Sequence, residues 1–186
     1  MSVEAINERA LVNIVRVEIV TEDELAKTYR FDTASEASYA AVMSEGSETT
    51  LRSKNTILAV NRTEDIQYGS DVNLTQVTMV PEVLAIVDGG TFQKGDGSSN
   101  NDKYTPPVVG TPVNRTKFTL KIYTEEKDVD GETKGYQCFS FKGCKGKPVS
   151  FSFKDGEFMA PQYTIASRVK KGTVPYELEF LKTLPE

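Results

Sequence analysis

One stretch of the sequence has the spacing of a helix: Met79-Val-Pro-Glu-Val-Leu-Ala-Ile-Val-Asp-Gly-Gly90. Its apolar residues recur at i, i+3, i+4 and i+7 and so share one helix face: Val80, Val83, Leu84 and Val87. Pro81 suits a first helical turn, and Gly89 or Gly90 can end the helix in a left-handed conformation. A helix of about eight residues is unstable alone in water because its nucleation is unfavourable. We therefore expect it to dock on a sheet.

The other patterned segments alternate between apolar and polar residues, as strands with one buried face do. Leu11–Val20 and Lys27–Thr33 predict a hairpin around the acidic turn Glu22–Glu24. Further strands are expected in seven segments: Thr56–Val60, Leu74–Val77, Lys117–Glu126, Tyr136–Phe141, Val149–Phe153, Tyr163–Val169 and Tyr176–Phe180. This series predicts a mainly β protein, an antiparallel sandwich or barrel with one short helix against it.

The remaining segments are expected to connect these strands within a single domain spanning residues 1–186. Residues 44–53 and 92–114 are polar or rich in Gly, Asn and Pro, and predict a long loop or hairpin tip and a long loop, respectively. Asp65–Asn73 predicts a turn, and Lys142–Lys147 a basic hairpin tip. Ala34–Met43 fits a strand or a short helix equally well.

The composition disfavours several classes of function. The net charge of −5 disfavours a duplex-DNA-binding surface, which needs a basic footprint. The chain contains no histidine, which removes the commonest general base and metal ligand. Neither a secretory signal nor an apolar run long enough to span a membrane is visible. We expect no enzyme activity and no cofactor.

Several smaller motifs favour ordinary structural roles. Asp128–Glu132 and Asp96–Asp102 are rich in oxygen ligands but lack the pattern of a calcium loop, so turns are expected. Cys138 and Cys144 are expected to be inert thiols, since their spacing is not that of a redox motif. The basic residues near Lys145 and in 168–171 fit solvated turns or electrostatic docking on an acidic partner, such as another copy of this chain.

Four segments in this order resemble the tail tube (major tail) proteins of long-tailed bacteriophages and related contractile particles. They are Leu51–Val60 with Glu64–Gly69, Val80–Gly90, Tyr136–Gly146 and Phe158–Ala166. The resemblance implies two packed antiparallel sheets flanked by one helix. It also implies homohexameric rings that stack into a tube with an acidic lumen, through which DNA passes into the host without specific binding. The strands 11–20 and 117–126, which are long and have two different faces, are the expected lumen strands.

The same resemblance implies partners and a location. The tube would contact tape measure, tail terminator and baseplate or tip proteins. It would belong to the virion tail after assembly in the host bacterial cytoplasm, with no membrane contact. The long loops, the outer side of the helix and the basic patch supply the expected interface residues: Val80, Ile86, Glu48, Leu51, Phe92, Tyr104 and Lys145.

Two alternatives to a self-assembling tube subunit remain open at this point. A β-sandwich module that binds carbohydrate or another surface would need an exposed aromatic platform or a calcium loop, and the absence of Trp disfavours it. An enzyme is disfavoured because the sequence shows no catalytic constellation.

Overall fold

The computed structural model describes residues 8–96 and 101–186 of the chain. Within these ranges lie twelve strands and one helix. The elements in chain order are β1 (Ala10–Thr21), β2 (Thr28–Phe31), β3 (Ala34–Ser44), β4 (Glu48–Ser53), β5 (Thr56–Arg62), β6 (Ile66–Gln76), α1 (Pro81–Asp88), β7 (Thr91–Gln93), β8 (Lys103–Thr105), β9 (Phe118–Lys127), β10 (Thr133–Gly146), β11 (Gln162–Ser167) and β12 (Glu177–Leu181). The predicted mainly β fold with antiparallel sheets and one short helix is confirmed.

Eight of the strands form one antiparallel sheet in the order β2-β1-β9-β10-β11-β6-β3, with β12 also paired to β10. The long strand β10 belongs to two layers. Its first part pairs with β9 and β12, whereas Cys144–Gly146 pairs with β11 after a register shift. Gly143 lies at this shift with φ of 62°, a conformation that glycine adopts without strain. We call β2, β1, β9, the first part of β10, and β12 the first layer. The last part of β10, β11, β6 and β3 form the second layer.

The core lies between the two layers and under the helix. It includes Val17, Leu120 and Ile122 from the first layer and Val72 and Ile165 from the second, all nearly or completely buried. Burying such aliphatic side chains stabilises a fold by about 1.5–3 kcal/mol each. The alternation seen in the sequence therefore marks the inner face of each strand.

The helix α1 docks on this core as its pattern predicts. Val83, Leu84 and Val87 are buried, and Gly89 ends the helix in the left-handed region with its N–H bonded to the Ala85 carbonyl. The backbone of α1 also lies directly against β10. A Cβ placed on Gly146 would be only 1.9 Å from the carbonyl oxygen of Val87, so no side chain fits at residue 146.

Strand β3 crosses the first layer from one side to the other. Only two residues separate it from β2, so it starts at the β2 edge. Farther along, Ala37 and Tyr39 line a crevice with Ile14 of β1. The ring centroid of Tyr39 then lies 5.3 Å from the ring centroid of Tyr176, the residue that immediately precedes β12. The chain beyond β3 therefore leaves the molecule on the β12 side.

Several local predictions are wrong. Of the two alternatives for 44–53, the long loop is wrong and the hairpin agrees with the structure, since β4 pairs with β5, whereas the expected turn at 65–73 is part of β6. The expected loop at 92–114 contains the paired strands β7 and β8, although residues 97–100 lie outside the described ranges. The expected strand at 149–153 has no regular pairing beyond a single bridge at Ser150. The expected hairpin tip at 142–147 is instead the part of β10 that passes between layers.

Residues 8–96 and 101–186 contain one helix, which has eight residues. No helix in these ranges is long and apolar enough to cross a membrane.

Candidate assembly surfaces

A two-stranded arm extends from the second layer. We define the arm as residues 47–63, which comprise β4, β5 and their connections to β3 and β6. At its base the Ser47 carbonyl accepts a hydrogen bond from the Thr63 N–H, and the Asp65 carboxylate accepts one from the Gly46 N–H. Every residue of the arm is exposed. The arm therefore adds little to the core of its own subunit.

The arm nevertheless carries apolar side chains. Leu51, Ile57, Leu58 and Val60 are 60%, 59%, 61% and 49% exposed, respectively. A register shift between Leu51 and Arg52 against β5 leaves Leu58 without a directly opposite partner. A soluble monomer gains nothing from such a cluster, so apolar residues concentrated on a projecting hairpin indicate a contact surface.

Charged residues are distributed unevenly along the arm. Near its base, Arg62 forms an ion pair of 2.6 Å with Glu48. At its tip, Arg52 and Lys54 are exposed, and among the described residues neither has an acidic partner within 4 Å. The tip is therefore a basic site.

The first layer has a free edge at each end. Strand β2 pairs only with β1, and β12 pairs only with β10, among the described strands. Edge strands present backbone N–H and C=O groups to any strand that approaches them. Lys142 and Glu177 form a 2.8 Å ion pair beside the β12 edge, but the side chains of Leu178 and Phe180 remain 39% and 54% exposed.

The outer face of the first layer carries paired charges of both signs. Glu18 is buried between Arg30 at 3.0 Å and Arg16 at 3.5 Å, and its second oxygen accepts a hydrogen bond from the Tyr123 hydroxyl. Glu125 and Lys127 form a second pair at 3.0 Å. Three of these five groups are cations and two are anions, so they contribute none of the net charge of −5.

The β7–β8 hairpin is fixed to the end of the helix. The Tyr104 hydroxyl donates to the Asp88 carboxylate, and burial together with this hydrogen bond raises the pKa of Tyr104 above its ordinary value. The Arg115 guanidinium donates to the Asp88 carbonyl at 3.1 Å. Asp88 thus joins the helix, the hairpin and the segment before β9.

The structure places the seven predicted interface residues in four separate regions. Glu48 and Leu51 lie on the exposed arm. Phe92 and Tyr104 face each other as a pair in the β7–β8 hairpin and are half-buried. Lys145 is exposed on β10, opposite Ala166 of β11.

The two helix residues of that set are less available. Val80 precedes the first turn of α1, and both it and Ile86 are half-buried against the core. Replacing Ile86 by Asp would therefore disturb the packing of the subunit as well as any contact made by the outer side of the helix.

One exposed aromatic group has no counterpart in the sequence predictions. Phe151 and Phe153, expected in a strand, lie instead in an irregular segment with their ring centroids 6.4 Å apart. Phe153 is 80% and Phe158 is 99% exposed. Their alternation with serine predicted a strand, and only the absence of a pairing partner in the fold shows otherwise.

The motifs considered for metal binding or redox chemistry form a turn and two buried thiols. The Asp128 carboxylate accepts hydrogen bonds from the N–H groups of Asp130 and Glu132, which closes a turn. Cys138 and Cys144 are both buried free thiols, and burial raises the pKa of Cys144 to about 12. Within the described ranges, no group of three or more His, Cys, Asp or Glu side chains is placed to hold a metal ion.

Comparison with known proteins gives structural similarities only. No family model and no curated protein matches the sequence. The fold is similar to a chain in the cryo-EM structure of the anti-feeding prophage (AFP) baseplate, with a TM-score of 0.43, 7% identity and coverage of 96% of this chain and 97% of that one.

Two further structures show similar chains. One is the cryo-EM structure of the anti-feeding prophage cap, the AFP tube terminating cap, with a TM-score of 0.38, 10% identity and 97% coverage of both chains. The other is the sheath-tube complex of the extracellular contractile injection system PVC in its extended state, with a TM-score of 0.35, 9% identity and 90% coverage of both chains. With such low scores and identities, the function has to be argued from the surfaces of this chain.

Proposed function

We propose that this protein is a structural subunit that assembles head-to-tail into closed hexameric rings, which stack into the tube of a phage-tail-like particle and form a conduit for DNA. The observation that carries the proposal is the pair of free edges, β2 and β12, at opposite ends of one layer. The resemblance of the sequence to tail tube proteins, noted above, supplies the ring size and the cargo.

The two free edges favour a ring over a two-fold dimer. When two different surfaces at opposite ends of a molecule meet, the contact is head-to-tail, and it closes into a ring if each step adds a rotation. Pairing β12 of one copy with β2 of the next would satisfy the exposed backbone groups of both strands. A closed ring would leave no free edge in this layer.

On this proposal, the outer face of the first layer lines the bore. Strands β1 and β9, which the sequence suggested as lumen strands, lie at the centre of that layer. Their ion pairs, such as that of Glu18 with Arg30, offer few unpaired cations to a passing phosphate backbone. Since unpaired Lys and Arg would retain DNA by releasing its counterions, a face on which Arg16, Arg30 and Lys127 are paired with carboxylates suits transit without binding.

The tube would end on other tail proteins, with tape measure, terminator and baseplate or tip proteins as the proposed partners. The exposed arm and the β7–β8 hairpin supply further contact surfaces, and the arm alone presents four exposed aliphatic side chains.

Assembly of the purified protein tests this proposal. Sedimentation velocity and negative-stain electron microscopy across a concentration series should show rings or tubes. The double variant L178K/F180K adds two charges to the exposed β12 edge and should keep the protein monomeric. Its matched control is V108K/V109K, which adds the same charge at exposed loop positions. A wild-type protein that remains monomeric at every concentration would refute the proposal.

A carbohydrate- or surface-binding module is the second candidate, because the neighbouring rings of Phe151 and Phe153 form a small exposed aromatic surface. Aromatic faces of this kind can stack on apolar faces of a ligand. Glycan-array binding that is lost in F153A, from a protein that forms no rings, would favour this candidate over the tube.

A further inference from the structure

Four exposed cations lie on the side of the molecule that bears the arm, whereas the unpaired acidic residues Glu45 and Glu64 of that side lie at the arm base. Besides Arg52 and Lys54 at the arm tip, Lys170 and Lys171 are exposed in the segment that faces the start of β6. Among the described residues, none of these four cations has an acidic partner within 4 Å. Their positive charge is therefore uncompensated in the isolated subunit.

The opposite side, at the β2 edge, carries more exposed acidic residues than basic ones, since Lys27 is the one cation without an ion pair among the described residues of the β1–β2 connection. Asp32 lies in the two-residue link between β2 and β3, Glu36 lies near the start of β3, and Glu24 lies in the turn between β1 and β2. All three are exposed, and within residues 8–96 and 101–186 none has a basic partner within 4 Å. The two sides thus carry uncompensated charges of opposite sign.

The path of β3 puts these two sites at opposite ends of one layer. The strand begins beside Asp32 at the β2 edge, crosses the first layer, and continues into the arm on the β12 side. Six residues of β4 extend the chain by about 20 Å. A neighbour placed against the β12 edge would therefore have its own β2–β3 link within reach of the arm tip.

We propose that the arm of one subunit docks on the acidic β2–β3 link of the next subunit in the same ring, with Arg52 and Lys54 facing Asp32 and Glu36. The occupant of the acidic site is thus a second copy of this chain. This inference rests on the proposed head-to-tail ring. It adds which surfaces meet and assigns the arm a contact within the ring.

The charges fix the register of this contact more than they hold it together. Exposed ion pairs are individually weak, but complementary charges steer the approach of two surfaces, and like charges at the same place exclude a wrong partner. The aliphatic side chains of the arm, including Leu51 and Leu58, supply the apolar area that the docked arm would cover. Ring assembly should consequently weaken as ionic strength rises.

Reciprocal charge reversal tests the contact. The arm variant R52E/K54E places acidic residues against the acidic link, and the link variant D32K/E36K places basic residues against the basic arm. Each variant alone should assemble only at higher concentration, with the concentration for half-assembly raised by about 10- to 100-fold. An equimolar mixture should assemble near the wild-type concentration, because alternating subunits restore opposite charges at every contact.

Two control variants carry the same changes in net charge at other exposed positions. K134E/K154E matches the arm variant, and D130K/E132K matches the link variant. Both should assemble like the wild type. Circular dichroism should show that all four proteins are folded, as expected for substitutions at exposed positions.

The outcomes separate this contact from the proposed tube. Loss of assembly in both single variants and its recovery in the mixture would support the contact. If the arm and link variants assemble like their controls, or if the mixture fails to recover, the contact is refuted while the tube stands. If the wild-type protein itself forms no rings, the proposed function fails, and the contact fails with it.

Discussion

The arm offers the sharpest prediction, since its contribution to assembly can be separated from its contribution to folding. We consider the variant L51T/I57T/L58T/V60T. Threonine is β-branched and retains a high strand propensity, so β4 and β5 should still pair. The variant removes most of the aliphatic surface of the arm and leaves its charges unchanged.

The expected magnitude follows from the exposure of the four side chains. Their exposed fractions, 60%, 59%, 61% and 49%, amount to the surface of about 2.3 complete side chains. If assembly covers that surface at about 2 kcal/mol per side chain, the variant loses about 4 kcal/mol per contact. This corresponds to an association constant about 10³-fold weaker. The free energy of unfolding should change by less than about 1 kcal/mol, because these side chains are exposed in the subunit.

Sedimentation velocity measures the association, and urea denaturation at a concentration below assembly measures the stability. The control V108T/V109T/V129T removes a similar exposed aliphatic surface, at 73%, 98% and 101% exposure, from loops and a turn outside the arm. It should assemble normally. The reasoning is refuted if the arm variant assembles like the control, or if it loses several kcal/mol of stability as a monomer.

Three further variants probe the subunit by urea denaturation. E18Q should lower the free energy of unfolding by about 1–3 kcal/mol, because Arg16 and Arg30 then lose the charge of their buried partner; unchanged stability would show that the pairs contribute nothing. G146A should cost about 1–3 kcal/mol or more, since its methyl group would displace the Val87 carbonyl and with it the helix, and an unaffected protein would contradict this packing. Asp71 is partly buried, which would raise its pKa, but Arg168 and then Lys147 hold that pKa below the ordinary 3.8. The stability that ionised Asp71 contributes is therefore present above pH 3.8 and lost as the pH falls through the lowered pKa. D71N should be less stable than the wild type by up to about 1 kcal/mol at pH 7, and this difference should shrink in acid. A stability difference that grows in acid would contradict the lowered pKa.

The helix shows how far local sequence information reaches. Its apolar spacing, Pro81 and Gly89 were enough to predict α1 almost to the residue. The alternating pattern also predicted β1 and β9, whose aliphatic residues such as Val17 and Leu120 lie in the core, although burial extends to Glu18 and Tyr123 on the other face. In these segments, the local pattern and the tertiary environment require the same conformation.

In other segments the fold imposes a conformation that the sequence pattern did not indicate. The arm strand β4 is exposed on both faces, so its sequence shows no alternation and suggested a loop. In β6, the polar residues Ser70 and Asp71 suggested a turn, yet Arg168 binds the Ser70 carbonyl and the Asp71 carboxylate and keeps them in a strand. Residues 149–153 alternate like a strand, but among the described residues they pair with a strand only through the single bridge between Ser150 and Gln162 of β11.

The sequence by itself determined the class of the fold, the docked helix and the two-faced character of the central strands, because these depend on which side chains avoid water. Only the tertiary structure decided which strands end as free edges and on which side the arm leaves. Those features depend on the bend of β10 at Gly143 and on the path of β3 across the first layer, and both arise from contacts between residues far apart in the chain. The surfaces proposed here to join one subunit to the next follow from that geometry.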